Sequence, residues 1–214
     1  MAALLPFVLA ACGGGGSNNE NAQGTTGARD ASGCTDAKAH THPNGGFAQE
    51  KRKLDPRKTY RLVFQTNCGS FTVTLNPKQA PNTSASLVSL ARRGFFTDTF
   101  FHRIVPGFII QGGDPTGRGT GGPGYHTVDK PPRNAKYTHG VVAMAKTASE
   151  PPGTSGSQFF IVTSADAGLP AEYAIVGKVT SGLDVVDRIG KLGDPSTEQP
   201  TRDVVISRVH VQAS

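Results

Sequence analysis

The sequence has no tryptophan, only three cysteines and two methionines, and little net charge. Its N-terminal apolar run, residues 2–11, is far below the ~20 residues that a membrane-spanning helix needs. The basic excess is +6, and the dense basic spots, Lys51–Lys53 and Arg92–Arg93, have no interleaved aromatic residues. A nucleic-acid interface is therefore disfavoured, and a solvated basic surface is the simpler interpretation.

Several motifs of cofactor and nucleophile chemistry are also missing. The segment Gly156-Ser157-Gln158 is not the Gly-x-Ser-x-Gly elbow of serine hydrolases. The segment Gly117–Gly122 fits Gly-x-Gly-x-x-Gly literally, but Pro123-Gly124 follows at once. No helix can begin there to receive a pyrophosphate, so we reject dinucleotide binding.

The first twelve residues resemble a bacterial lipobox. The apolar run ends in Leu9-Ala10-Ala11-Cys12, where small residues give a signal peptidase access and the thiol of Cys12 can be acylated. Two acyl chains would suffice for stable anchoring. No Lys or Arg precedes the run, which departs from the usual signal, and a plain secretory signal with an incidental cysteine is the alternative. We predict a cell-membrane lipoprotein outside the cytoplasm, or else a secreted protein.

The other two cysteines, Cys34 and Cys68, form an even pair in what would be an oxidising compartment. We predict a disulfide between them, which the chain-entropy treatment values at about 3–4 kcal/mol. The alternative is a metal site that uses Cys34, His40 and His42. Their spacing matches no strong zinc pattern, and no Cys-x-x-Cys or second His cluster follows, so we expect no metal.

Composition divides the chain into three parts. Residues 1–12 are the predicted signal peptide and lipobox. Residues 13–33 are rich in Gly, Ser and Asn and have almost no large apolar side chains, so we predict a flexible tether that continues through a transitional segment to residue 58. Order should begin near Tyr60, and residues 59–214 form the predicted globular domain.

Eight short runs in the domain are rich in β-branched and aromatic residues, which is typical of strands. They are residues 60–65, 71–75, 100–105, 108–111, 141–145, 158–162, 174–179 and 204–211. Pro81 opens a predicted helix that ends before Gly94, and a second helix is predicted over Leu183–Ile189. This pattern indicates a mainly β fold, with a closed antiparallel barrel capped by two α-helices as its best form.

Three segments of the domain resemble the cyclophilin family. Residues 100–114, FFHRIVPGFIIQGGD, are similar to its signature, residues 153–161, GTSGSQFFI, to its second hallmark, and residues 119–124, GTGGPG, to its glycine-rich loop. The resemblance extends from about Tyr60 to Val211 in the family's order. It implies a closed eight-stranded antiparallel β-barrel capped by two α-helices, peptidyl-prolyl cis–trans isomerase activity and a monomer.

The implied reaction makes few chemical demands. Rotation about an Xaa–Pro bond faces a barrier of ~18–20 kcal/mol from amide resonance, but it transfers no proton and needs no nucleophile, metal or cofactor. It is helped by holding the proline ring, by excluding water, and by donating a hydrogen bond to the proline nitrogen. One charged donor in a dry groove can supply the ~4 kcal/mol behind a thousandfold acceleration.

The resemblance also assigns the site residues. Arg103 matches the catalytic arginine, whose rigid and permanently charged guanidinium suits donation toward the proline nitrogen and the carbonyl. Gln111 and Phe160 complete the predicted catalytic set, and His102 takes a structural role. The predicted substrate-binding residues are Phe108, Ile109, Ala145, Lys146, Gln158, Leu169 and Tyr173.

Three departures from the family bear on ligand preference. Lys146 stands where many cyclophilins have Asn, Tyr173 where animal enzymes have His, and Gly168 in the region where cyclosporin-sensitive members have Trp. We therefore expect weak cyclosporin binding. The expected partners are proline-containing peptides and unfolded exported proteins, with membrane contact only through the lipid anchor. A peptide-binding chaperone without turnover is the alternative, and the presence of Arg103 favours the enzyme.

Overall fold

The computed structural model describes residues 29–214. The predicted lipobox with Cys12 and residues 13–28 of the predicted tether lie outside the described residues. Within residues 29–214 the strands are β1 Tyr60–Thr66, β2 Gly69–Leu75, β3 Thr99–Phe100, β4 Arg103–Val105, β5 Ile109–Gly112, β6 Thr127–Val128, β7 Val141–Met144, β8 Thr154–Ser155, β9 Phe159–Val162, β10 Ile175–Ser181 and β11 Val205–Ala213. The helices are α1 Pro81–Arg92 and α2 Leu183–Ile189.

Each predicted run overlaps a strand, and the run at residues 100–105 overlaps two, β3 and β4. Phe101 and His102 interrupt it, because β3 pairs with β11 whereas β4 pairs with β5. The short strands β6 and β8 pair only with each other. At two residues each, they carry no periodic pattern that a sequence could reveal.

Nine of the described strands form one antiparallel sheet in the order β3-β11-β1-β2-β10-β7-β9-β5-β4. Its two edge strands, β3 and β4, are joined by Phe101 and His102 alone. The sheet must therefore curl, because the single segment 99–105 supplies the strands at both of its edges. This mainly β arrangement with two helices confirms the predicted fold class, and the interrupted segment 99–105 takes the place of the eighth barrel strand.

Alternation along the strands sends one set of side chains into the barrel. Phe64 stacks on Phe71 with ring centroids 4.8 Å apart, and Phe159 meets Phe101 edge to face at 6.1 Å. The helix α1 buries Leu87, among other apolar residues, and packs against β11 and β6. The inner face of the barrel is thus a closed aromatic and aliphatic core.

A second apolar cluster lies on the outer face of β5, β7 and β9. Its buried members on these strands are Ile109, Val141, Ala143, Phe160 and Val162. They remain buried because loops cover them with partly buried apolar side chains. This outer cluster is the part of the fold that positions the candidate site.

The segment 34–58, here called the N-terminal strap, has no helix or strand. We expected order to begin near Tyr60, but contacts hold the strap against the domain ahead of that point. Cys34 and Cys68 form a disulfide, and Thr35 N donates to Asn67 O at 2.9 Å. The sulfur of Cys34 is thereby withdrawn from the alternative metal site. Among residues 29–214, no helix is long and apolar enough to cross a membrane.

Candidate active site

The strand register places three predicted site residues and one further residue, Ala143, in one row on the outer face of the sheet. Arg103 on β4 lies opposite Gln111 on β5. Phe160 on β9 lies opposite Gln111 on one side and opposite Ala143 on β7 on the other. The inward neighbours Ile104 and Ile110 are fully buried in the barrel. Alternation therefore turns a polar pair and an apolar pair toward the same side of the sheet.

Two acceptors hold the guanidinium of Arg103. Its Nε donates to Glu198 Oε2 at 2.6 Å, and its Nη1 donates to Gln111 Oε1 at 3.4 Å. The Arg103 side chain is 36% exposed. Because a guanidinium has five N–H donors, three remain beyond these two bonds, and they can serve a ligand in the groove.

Glu198 is a site residue that the sequence analysis missed. It adopts a left-handed backbone conformation, with φ 58°, and its carbonyl accepts from Ile104 N at 2.8 Å. These two features seat the loop before β11 beside β4. Glu198 lies outside the three motifs, 95 positions from Arg103, so no local pattern could have revealed the pair.

Glu198→Ala is expected to lower kcat/KM for Xaa-Pro peptides about three- to tenfold, because it removes a charge-assisted hydrogen bond that orients Arg103. Glu198→Gln keeps a hydrogen-bond acceptor for Arg103 and should lower kcat/KM less than Glu198→Ala does. Asp184→Ala is the matched control, since it breaks an exposed pair with Arg188 at 3.0 Å on α2. An isomerisation assay measures all three, and a fully active Glu198→Ala enzyme would contradict this role.

The predicted apolar residues come together in one pocket. Phe108, Ile109, Ala145, Phe160, Leu169 and Tyr173 all belong to the outer apolar cluster. The Phe160 and Tyr173 rings meet edge to face with centroids 5.5 Å apart. A concave apolar wall of this kind can hold a proline ring while keeping water from the neighbouring amide.

Tyr137 supports this pocket and was also missed from the sequence. It is buried, its hydroxyl donates to Tyr173 O at 2.8 Å, and it accepts from Tyr173 N at 3.0 Å. Burial is the main cause that raises the pKa of Tyr137 above its ordinary value. A lone tyrosine in a polar loop gives no sequence signal, and only the long-range contacts reveal that it positions Tyr173.

Lys146 borders the groove, and its ammonium is paired with a carboxylate. Its side chain is 2% exposed, and Nζ lies 2.9 Å from Glu172 Oε2. The same Nζ lies 5.6 Å from the centroid of the Tyr173 ring. We predicted Lys146 to bind substrate, and that role stays a prediction, because Lys146 lines the groove while its Nζ is paired with Glu172.

A second cavity, of about 340 Å³, adjoins the apolar pocket. Gln111, Ala145 and Gln158 line it together with the glycine-rich loop, residues 119–124. Gln111 Nε2 donates to Gln158 Oε1 at 3.1 Å, and Gln158 Nε2 donates to Gly121 O at 2.9 Å. The two predicted glutamines thus connect the loop to Arg103.

Asp114 anchors the start of the glycine-rich loop. Its carboxylate accepts from Thr116 N at 2.7 Å and from Gly121 N at 3.1 Å. Burial alone would raise the pKa of Asp114, but the hydrogen bonds from Thr116 and Gly121 outweigh it and hold that pKa below its ordinary value. The carboxylate is therefore charged at neutral pH.

His102 lies beside Arg103, and neither nitrogen of its buried ring has a hydrogen-bond partner among the described residues. Burial is the main cause that lowers the pKa of His102. The ring is therefore neutral at neutral pH. This state agrees with the structural role that we predicted and gives no support to proton transfer.

The fold and the groove define a class of protein. A curled antiparallel sheet carries an apolar pocket on its outer face, bordered by a fixed guanidinium and two carboxamides. Such a site can bind and polarise a peptide group.

Comparison with known proteins identifies the family. The family model described as "Cyclophilin type peptidyl-prolyl cis-trans isomerase/CLD" matches residues 61–211. Peptidyl-prolyl cis-trans isomerase-like 1 of Aspergillus fumigatus is 40% identical over 154 residues, which cover 70% of this chain and 94% of that protein. Peptidyl-prolyl cis-trans isomerase CYP18-2 of Arabidopsis thaliana is 38% identical, over 70% and 92% of the two chains.

A solved structure agrees with these relatives. The cyclophilin type peptidyl-prolyl cis-trans isomerase of Cryptosporidium parvum, crystallised in the presence of the dipeptide Ala-Pro, superposes with a TM-score of 0.65 at 32% identity. The match covers 71% of this chain and 98% of that one. The chain belongs to the cyclophilin-type peptidyl-prolyl cis-trans isomerases.

Cyclosporin is expected to bind weakly. Gly168 has a left-handed backbone, with φ +62°, and open space lies where a side chain would begin. The edge of the groove beside Leu169 therefore lacks the large apolar surface and the N–H donor that an indole would provide. Titration calorimetry should give a dissociation constant in the micromolar range or weaker, and a nanomolar complex would contradict this expectation.

Proposed function

We propose that this enzyme rotates Xaa-Pro bonds with Arg103 as the charged donor. The observation that carries the proposal is the position of the Arg103 guanidinium, held by Glu198 and Gln111 at the border of the apolar pocket. The row Arg103-Gln111-Phe160 across three strands supports it, because it sets the donor beside an aromatic wall.

The mechanism follows from the loss of amide resonance. As the Xaa–Pro bond twists, the lone pair of the proline nitrogen localises and becomes a better acceptor. A donor that is already oriented stabilises this twisted state more than either planar state, and only such a difference accelerates the reaction. Phe160 and its neighbours would hold the ring, while the carbonyl of the preceding residue moves.

An isomerisation assay on blocked Xaa-Pro tetrapeptides tests this function. We expect catalysis of the cis-to-trans relaxation in proportion to enzyme concentration. The second candidate is a chaperone that binds peptides in the same groove without turnover. Binding of the peptide with an unchanged relaxation rate would support that candidate and contradict ours.

We further propose that the enzyme acts outside the cytoplasm on unfolded exported proteins, as a monomer anchored through an acylated Cys12. The disulfide between Cys34 and Cys68 supports this location, because disulfides persist mainly in oxidising compartments. The resemblance of residues 9–12 to a lipobox supports the anchor. A secreted protein without acylation is the alternative.

Metabolic labelling with palmitate in a bacterial host tests the anchor. The wild-type chain should incorporate label and sediment with membranes, whereas Cys12→Ser should do neither. Unlabelled wild-type protein in the culture medium would support the secreted alternative.

A refolding assay tests the proposed clients. Addition of the enzyme should accelerate proline-limited refolding of an exported protein in vitro, and an unchanged refolding rate would contradict the proposal that exported proteins are its substrates.

A further inference from the structure

The N-terminal strap lies outside the region that the family model matches, which begins at residue 61, yet it reaches the groove. The strap residue Asn44 lines the same cavity as Gln111 and Gln158. This chain therefore builds part of its groove from a segment that precedes the family domain.

Four hydrogen bonds attach the strap to the glycine-rich loop and the residues just before it. Asn44 Oδ1 accepts from Gly122 N at 2.9 Å. Gly45 N donates to Gly122 O at 2.9 Å, Phe47 N to Pro123 O at 3.1 Å, and His42 N to Pro115 O at 2.6 Å. Gly122 thus has both of its backbone polar groups bound by the strap.

The two backbones approach more closely than side chains would allow. A Cβ atom on Gly124 would lie 3.2 Å from Gly45 Cα and 3.3 Å from Gly46 N. Gly124, Gly45 and Gly46 also have left-handed backbones, with φ of +94°, +77° and +81°. The space between the backbones requires glycine at Gly124 on the loop, and the left-handed backbone favours glycine at all three positions.

The strap is anchored on both sides of Asn44. On one side, Cys34 is joined to Cys68 at the turn between β1 and β2. On the other, the Phe47 ring packs edge to face on Phe95 with centroids 4.9 Å apart, and the Arg93 guanidinium lies 4.6 Å from the Phe47 centroid. The strap can therefore act as a fixed support for the loop.

Hydrogen bonds continue from this contact toward the candidate donor. The carbonyl of Gly121, next to Gly122, accepts a hydrogen bond from Gln158. Gln158 in turn accepts one from Gln111, and Gln111 accepts one from Arg103. The loop that Asn44 holds thus lines a cavity that is also lined by Gln111, the hydrogen-bond partner of Arg103.

We propose that Asn44 is a positioning residue that fixes the glycine-rich loop as the wall of a subsite for peptide residues flanking the Xaa-Pro pair. The proposal rests on the isomerase function above. The cavity shares Ala145 with the apolar pocket, and Gln111, which lines the cavity, lies opposite Phe160 of the pocket, so a longer peptide held there enters the cavity. The strap makes the enzyme favour extended peptides over a bare Xaa-Pro dipeptide.

Exchange NMR on two substrates tests the proposal. One is the dipeptide Ala-Pro, and the other is a blocked hexapeptide with Ala-Pro at its centre. Asn44→Ala should raise KM for the hexapeptide about three- to tenfold, the effect of losing one hydrogen bond, and leave kcat and the dipeptide KM unchanged. Asn44→Asp should behave as wild type, because its carboxylate still accepts from Gly122 N.

The controls separate this proposal from others. Lys51→Ala changes an exposed strap residue outside the cavity and should not change either KM. Equal KM values for wild type and Asn44→Ala on the hexapeptide would overturn the proposal, and so would an equal rise on both substrates or a failure of Asn44→Asp to restore the wild-type value. A wild-type enzyme with no turnover on either substrate would contradict the proposed function instead.

Discussion

Arg103→Ala is expected to lower kcat/KM for Xaa-Pro isomerisation about 100- to 1,000-fold, the usual effect of removing one preorganised donor from a transition-state site. The structure gives the reason, because Glu198 and Gln111 already orient the guanidinium. No reorganisation is then required when the proline nitrogen becomes a stronger acceptor. A continuous assay on a blocked tetrapeptide, with Arg103→Ala and wild type at matched concentrations, measures the effect.

Two further variants sharpen this prediction. Arg103→Lys keeps the positive charge, but one ammonium cannot reproduce the planar guanidinium that donates to both Glu198 and Gln111. Most of the loss of kcat/KM should therefore remain in this variant. Arg133→Ala, at an exposed position outside the groove, should keep full activity. Because the Arg103 side chain is 36% exposed, its removal should leave the free energy of unfolding nearly unchanged. An Arg103→Ala enzyme with wild-type rates would contradict the mechanism.

The double variant Cys34→Ala/Cys68→Ala is expected to lower the free energy of unfolding by about 3–4 kcal/mol. The bond closes a loop with a sequence separation of 34, and its loss returns that conformational freedom to the unfolded chain. Alanine is chosen because both cysteines are buried, where a serine hydroxyl would add a cost of its own. Urea unfolding monitored by circular dichroism measures the change.

The activity of this double variant gives a second readout. The apolar pocket lies on β5, β7 and β9, whereas the disulfide joins the strap to the turn between β1 and β2. Turnover of the dipeptide Ala-Pro should therefore be retained below the unfolding transition. A free energy of unfolding within about 1 kcal/mol of wild type would contradict the entropic account of this bond.

The strands and helices could be predicted because their signals are local. Runs rich in β-branched and aromatic residues marked β1, β2 and β9, and Pro81 marked the start of α1. The strand at residues 100–105 was predicted as one element, and its division into β3 and β4 was not. That division depends on pairing with β11 and β5, which are distant in sequence.

The candidate site was predictable only where a motif carries it. Arg103, Gln111 and Phe160 could be identified by resemblance, and the register then places them in one row. Glu198 and Tyr137 come from irregular segments, and their roles depend on hydrogen bonds across the fold. Lys146 borders the groove, but its pairing with Glu172 is a contact across the fold that no local pattern could reveal.

The central claim is that Arg103 acts on the twisting bond and contributes little to holding the peptide. Exchange NMR on the blocked hexapeptide measures peptide binding and catalysis separately, because chemical-shift titration gives the dissociation constant and exchange peaks give the rate of turnover. For Arg103→Ala we predict a dissociation constant within about threefold of wild type, as for the loss of one exposed hydrogen bond, and catalysed cis–trans exchange slowed about 100- to 1,000-fold. Exchange at the wild-type rate, or loss of binding in parallel with turnover, would contradict the account.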